Sequence, residues 1–331
     1  MTLPLSILDL SSVAAPQRPD EAIRDSVALA RAADRLGYRR YWLAEHHNVA
    51  SHAGTAPEIL MAALTQATSR IRLGSGGVML VNYSPLKVAE QFMTLEALAP
   101  GRIDLGVGRS LGGDARVGQA LRTAGLDAFG QSFAMLNAWL LDATGQPGFP
   151  AGHPAREVRA QPAGPRRPDL FILCSSAGGA ALAGQFGVGM VHAEFLAGGG
   201  GAEAVEAYRR AFRPSPFRSS PWAAVAVAAM AADTEQDARR LDQPRLAWTV
   251  GFAEGLNEPF PDVATAEKRL ADKAGHAMIA EAAGRSIVGD GAQVRAGLAA
   301  KLSSTKADEL FVIAAAPTLA DRIRSLELMI A

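Results

Sequence analysis

The 331-residue chain balances 33 basic against 33 acidic side chains, and 49% of its residues are hydrophobic against 20% charged. Such a composition belongs to a globular protein with a large core and excludes extensive disorder. Zero net charge gives no long-range field toward nucleic acid or an anionic membrane, so the expected partner is a small molecule.

The opening MTLPLSILDL lacks a basic segment, and no stretch approaches 18 consecutive apolar residues, so a cytoplasmic protein without membrane contact is expected. Short apolar stretches then alternate with amphipathic helical ones, the signature of repeated βα units around a parallel sheet. Residues 3–9 read as the first strand, and Asp20 is placed to cap a helix that runs to Gly37. A second strand over 41–44 precedes a polar loop and a helix over 57–69; a third covers 71–80, with its helix over 86–98; the fourth is 103–107. Residues 145–168, rich in Gly, Pro and Arg, read as a long connection rather than a domain linker. The fifth strand, 170–173, leads to a helix over 177–186, and the sixth and seventh are 188–192 and 222–230. Helical sequence from Glu235 is interrupted over 251–261, an insertion in the seventh unit, before a helix over 292–302, the eighth strand over 309–314 and a last helix over 318–329. The expected fold is a (β/α)8 TIM barrel forming a single domain over 1–331, since such barrels run past 250 residues as one unit. A doubly wound open sheet is the competing architecture.

In a barrel of this kind the strand C-terminal ends carry the active site, which directs attention to four places. After the second strand stands Glu45-His46-His47-Asn48, where one histidine of the adjacent pair faces the mouth, either as a general base or bonded to backbone. The third strand contains Gly74-Ser75-Gly76-Gly77, a bare backbone against which a flat ring can lie, or a β-bulge. The fourth ends at Gly108-Arg109-Ser110, and Arg109 offers a planar fork to an anion, or a surface salt bridge. After the fifth come Cys174-Ser175-Ser176-Ala177-Gly178-Gly179, a helix start fit for a phosphate or capped by an ordinary serine. Cys174, the one cysteine, has no disulfide partner, and no Cys/His set has zinc spacing, so no metal is expected. A Rossmann fingerprint is missing, because Leu111 stands where Gly106-Val107-Gly108 would need a third glycine.

The blocks YWLAEHHN, RIRLGSGGVML and SPLKVAEQFMTLEALAPGRIDLGVGR, with weaker ones to Leu326, resemble the bacterial-luciferase-like flavin-dependent monooxygenases. Through AEHHN and SPLKVAEQ the chain resembles a sub-branch of small bacterial oxidoreductases, which includes tailoring enzymes of actinomycete polyketide pathways. The resemblance implies a two-component monooxygenase that takes reduced FMN from a separate NAD(P)H:flavin reductase and uses O2, through a peroxyflavin, to oxygenate a small organic substrate. It implies that His46 is the catalytic base or peroxyflavin stabiliser, and that Gly76-Gly77 form a non-proline cis peptide under the flavin ring. Arg109, Ser176 and Gly179 match positions around the FMN phosphate. Ser175 stands where luciferase has an acidic residue, and Gln131-Ser132-Phe133 lacks a basic residue that assists phosphate binding, which implies weak FMN affinity. The rivals are a deazaflavin (F420)-dependent dehydrogenase on the same barrel and a non-catalytic flavin-binding protein. His192, Glu194 and Phe195 are further pocket candidates, and the run 198–201 is either a lid hinge or a plain loop. Small residues Ala62, Ala63 and Ala67 suit close helix packing in a homodimer, or against the barrel.

Overall fold

A computed structural model of the chain describes residues 3–314 and 316–331. Its strands are β1 (Leu5–Asp9), β2 (Arg40–Leu43), β3 (Arg72–Ser75), β4 (Val78–Met79), β5 (Ile103–Gly108), β6 (Asp169–Cys174), β7 (Gly189–Ala193), β8 (Ala223–Ala232), β9 (Ser286–Asp290) and β10 (Glu309–Ile313). These strands pair in parallel, and β10 lies between β8 and β1, so the sheet closes into a barrel. Both β3 and β4 pair with β5 and form one stave interrupted at Gly76 and Gly77, and β9 pairs with β8 outside the closed ring, which leaves the eight staves expected.

Besides the unforeseen helices Ala115–Leu121 and Gly201–Ala211, two details depart from the sequence reading. The first helix, Pro19–Leu36, is capped at Arg18 rather than Asp20, because Pro19 suits the first helical position; Asp20 sits inside the first turn and pairs with Arg18 and Arg24. Its other end closes at Gly37 with φ 86°, as anticipated. The second is β9, a strand absent from that reading. The long strand β8 pairs with β10 through its first half and with β9 through Ala228–Ala232. The insertion after β8 comprises the helices Glu235–Ala253, Val263–Asp272 and Ala277–Gly284. Among the described residues, no helix is long and apolar enough to cross a membrane.

Residues two apart on a strand share a face. Along β2 this sends Tyr41 and Leu43 outward to the helix-facing core and Trp42 into the barrel beside Leu8, Phe171 and Phe311. The indole fills space that side chains elsewhere would need: a Cβ on Gly74 would stand 2.3 Å from Trp42 Nε1. One layer toward the strand N-termini, Arg40 binds Asp104 at 2.6 Å and Glu309 at 3.1 Å, while Asp104 also accepts from Arg72 Nε at 3.0 Å and Trp42 Nε1 at 2.9 Å. Buried charges persist where partners satisfy them to this degree. In the other direction the same alternation continues through Ala44 to His46 at the barrel mouth.

Candidate functional site

At the C-terminal mouth a cavity of about 330 Å³ is lined by His46, Gly76, Gly77, Arg109, Ser175, Ser176 and Gly179, together with an apolar wall that includes Leu8, Leu10, Ile172 and Val191. The four stretches singled out in the sequence therefore converge on one space. That volume lies in the range of about 300–1,000 Å³ common to small-molecule sites.

Of the adjacent histidines, His46 faces the cavity. Burial first, and His47 second, push its pKa down to about 4, so the ring is neutral at pH 7; its Nδ1 is buried without a hydrogen-bond partner. His47 turns away and shares a 2.8 Å hydrogen bond with Glu45 Oε1. The buried Glu45 also accepts from Tyr83 Oη at 2.8 Å and, through Oε2, from Met79 N at 3.1 Å. This carboxylate, to which the sequence assigned no role, ties the loop after β2 to β4.

The Gly76–Gly77 bond is cis. A Cβ on Gly77 would lie 2.8 Å from the carbonyl oxygen of Gly106, so backbone lines the cavity there because no side chain fits. Gly74, by contrast, yields its space to Trp42 and not to the cavity.

Arg109 is exposed and has one carboxylate nearby, Asp127 at 3.9 Å, itself fully exposed; such a contact contributes little and leaves the guanidinium available. Ser176 caps the helix Ala177–Phe186, its Oγ accepting from Gly179 N at 3.2 Å, so the two readings of this serine coexist: it is an N-cap, and it borders the cavity. Ser175 lines the rim and is exposed. The Cys174 thiol also lines the cavity, and burial pushes its pKa up to about 12, which keeps it protonated.

The remaining candidates divide. Phe195 lines the cavity with Leu196, whereas His192 turns to the Gly199 carbonyl, 3.0 Å from Nε2, and Glu194 accepts from Gly201 N at 3.1 Å and pairs with Lys301. The glycine run 198–201 is thus tethered by two buried side chains. Among the described residues, no group of three or more His, Cys, Asp and Glu is arranged to hold a metal ion.

The sequence model of a family described as luciferase-like monooxygenase matches residues 3–309. This chain belongs to the luciferase-like monooxygenase family. It is 37% identical over 314 residues to a luciferase-like monooxygenase of Escherichia coli K12, covering 94% of this chain and 91% of that protein. It is 39% identical over 240 residues to the N-acetyl-S-alkylcysteine monooxygenase of Bacillus subtilis, covering 71% and 70%. The crystal structure of apo-MsnO8 superposes with a TM-score of 0.90 at 35% identity, covering 99% of this chain and 97% of that one. More distant members of the fold include the oxygenating constituent of 3,6-diketocamphane monooxygenase from Pseudomonas putida, in complex with FMN (TM-score 0.67, 19% identity, 100% and 97% covered). An F420-dependent secondary alcohol dehydrogenase (TM-score 0.68, 15% identity, 99% and 98% covered) shares it too. Monooxygenase chemistry is thus the family's, and of these two distant structures one holds FMN and the other is F420-dependent.

Proposed function

We propose that this chain is the oxygenase component of a two-component system that accepts reduced FMN from a separate NAD(P)H:flavin reductase and oxygenates a small, largely apolar organic molecule with O2. The observation that carries this reading is the convergence, on one cavity, of a neutral imidazole, a glycine backbone ledge and an uncommitted guanidinium beside a helix N-terminus.

These groups fit a flavin mononucleotide. The apolar residues Leu8, Leu10, Ile172 and Val191 suit the flat ring, and the Gly76–Gly77 backbone permits its close approach. Arg109 and the N-terminus of the helix Ala177–Phe186 suit the phosphate, the one through a charged fork and the other through free N–H groups and the helix dipole. When bound, reduced FMN supplies the activation of O2 that side chains do not provide. The chain's own share is to hold the ring, exclude water and move protons. His46, neutral at pH 7, can accept a proton at a ring nitrogen or bond to a polar atom beside it. Phe195, Leu196 and Phe129 on the cavity wall favour an uncharged substrate face. The Bacillus subtilis relative is named for an N-acetyl-S-alkylcysteine, a small molecule with an apolar alkyl thioether end and a carboxylate at the other. The missing Rossmann fingerprint supports an external reductase.

The test is turnover of N-acetyl-S-alkylcysteines and of neutral terpenoid or polyketide compounds with a flavin reductase, NADH and FMN under 18O2. One labelled oxygen atom in the product is expected. Unlabelled oxidised product formed anaerobically with F420 would establish hydride transfer instead.

A further inference from the structure

An imidazole that works in a site ordinarily has its orientation fixed by a hydrogen bond from one ring nitrogen to a carbonyl or carboxylate. His46 lacks that bond at Nδ1. What meets its ring is His52, with ring centroids 4.6 Å apart and planes inclined by 35°.

His52 is itself held from several directions. Its Nδ1 lies 2.7 Å from the buried Ser51 Oγ, its backbone N donates to Val49 O at 3.1 Å, and it bridges in antiparallel fashion to Ser12. Trp248 and Phe260 stand edge-on to it at 5.7 and 5.8 Å. Both aromatics come from the insertion after β8. Asn257 binds the same insertion to the His46 loop, accepting from Ala50 N at 2.8 Å and donating to Asn48 O at 3.0 Å. Phe260 exchanges backbone hydrogen bonds with Val13 and Ala15.

We propose that His52, backed by Trp248 and Phe260 of the insertion, is a positioning residue that holds the His46 ring toward the cavity by packing rather than by a hydrogen bond. Burial drives the pKa of His46 to about 4 and that of His52 to about 3, so at neutral pH two uncharged rings meet and no ion pair is involved. The other ionisable groups around His46 are Glu45 and His47, hydrogen-bonded to each other, and, on the same cavity, Arg109 and the protonated Cys174 thiol. The insertion thereby acquires a task, since a ring fixed in advance needs no ordering when ligands arrive. The inference rests on the reading of His46 given above.

The experiment follows the His46 ring by 15N-histidine NMR in the flavin-free protein, and the reoxidation of bound reduced FMN by O2, in wild type, H52A, H52F and H46A. In wild type and H52F, which keeps the aromatic face, His46 should titrate well below the ordinary histidine range, and in H52A at least one pH unit higher. Reoxidation should change at least tenfold in H46A, at least threefold in the same direction in H52A, and less than twofold in H52F. A His46 titration in H52A that matches wild type would overturn the positioning role. Reoxidation unaffected in H46A would refute the role of His46 itself, a separate failure that the NMR titration does not share.

Discussion

At the N-terminal end of the barrel, Asp104 and Glu309 are buried, Arg40 lies against Phe171 and Trp222, and each charge has partners within about 3 Å, whereas at the C-terminal end His46 Nδ1 has none and Arg109 meets only Asp127, at 3.9 Å. One sheet builds both ends. The difference is one of saturation: where hydrogen-bonding capacity is used up the barrel is a structural plug, and where capacity is left over a ligand can complete it.

The sharpest way to break that comparison is at the plug. Asp104→Ala would leave Trp42 Nε1 without its acceptor and take one carboxylate from Arg40 and Arg72, which keep Glu309 and Asp169, and should lower the free energy of urea unfolding by about 3 kcal/mol. At the mouth the effect should invert: His46→Ala should reduce product formation by about 10²–10⁴-fold while changing unfolding by no more than about 1 kcal/mol. The coupled reductase assay and the urea curve read these two numbers on the same preparation.

Smaller changes refine the picture of the mouth. The Cβ of Gly77→Ala meets backbone, Gly106 O at 2.8 Å, whereas that of Gly76→Ala meets the mobile end of Leu8, Cδ1 at 2.4 Å. Flavin fluorescence titration should therefore show the larger loss of FMN affinity for Gly77→Ala, about tenfold or more, equivalent to about 1.4 kcal/mol. Arg109→Ala should weaken FMN by roughly tenfold, as loss of a charged hydrogen bond does, and leave riboflavin, which has no phosphate, unaffected.

The pH dependence is gentler still. Unfolded histidines take up protons near pH 6.5, but His46 and His52 in the folded protein resist until about 4 and about 3. The unfolded chain binds more protons between those values, so the two rings leave stability untouched above about pH 6.5 and reduce it as pH falls toward 4. His46→Ala should lose less stability than wild type over that interval in paired urea titrations.

Much of this was legible in the sequence for local reasons. The glycine pair Gly76-Gly77, a histidine just past one strand and an arginine at the end of another are conspicuous against apolar runs, and all reach the same cavity. Hidden from sequence were relationships between distant segments. Gly74 looks like the cavity glycines yet serves Trp42, and Asp104 in RIDLGVG looks like a polar intrusion until Arg40 and Arg72 are seen around it. The pairing of His52 with His46, and its backing by Trp248 and Phe260, depends on how the insertion folds back over the β2 loop. The strand β9 escaped because five residues between two helices, four of them half-buried, carry little periodicity.

The most direct test of the central claim is a crystal structure of the protein with FMN bound. The account predicts the ring against Gly76–Gly77 with His46 at its edge, and the phosphate between Arg109 and the start of the helix Ala177–Phe186. A flavin seated elsewhere, or with its phosphate turned away from Arg109, would contradict it.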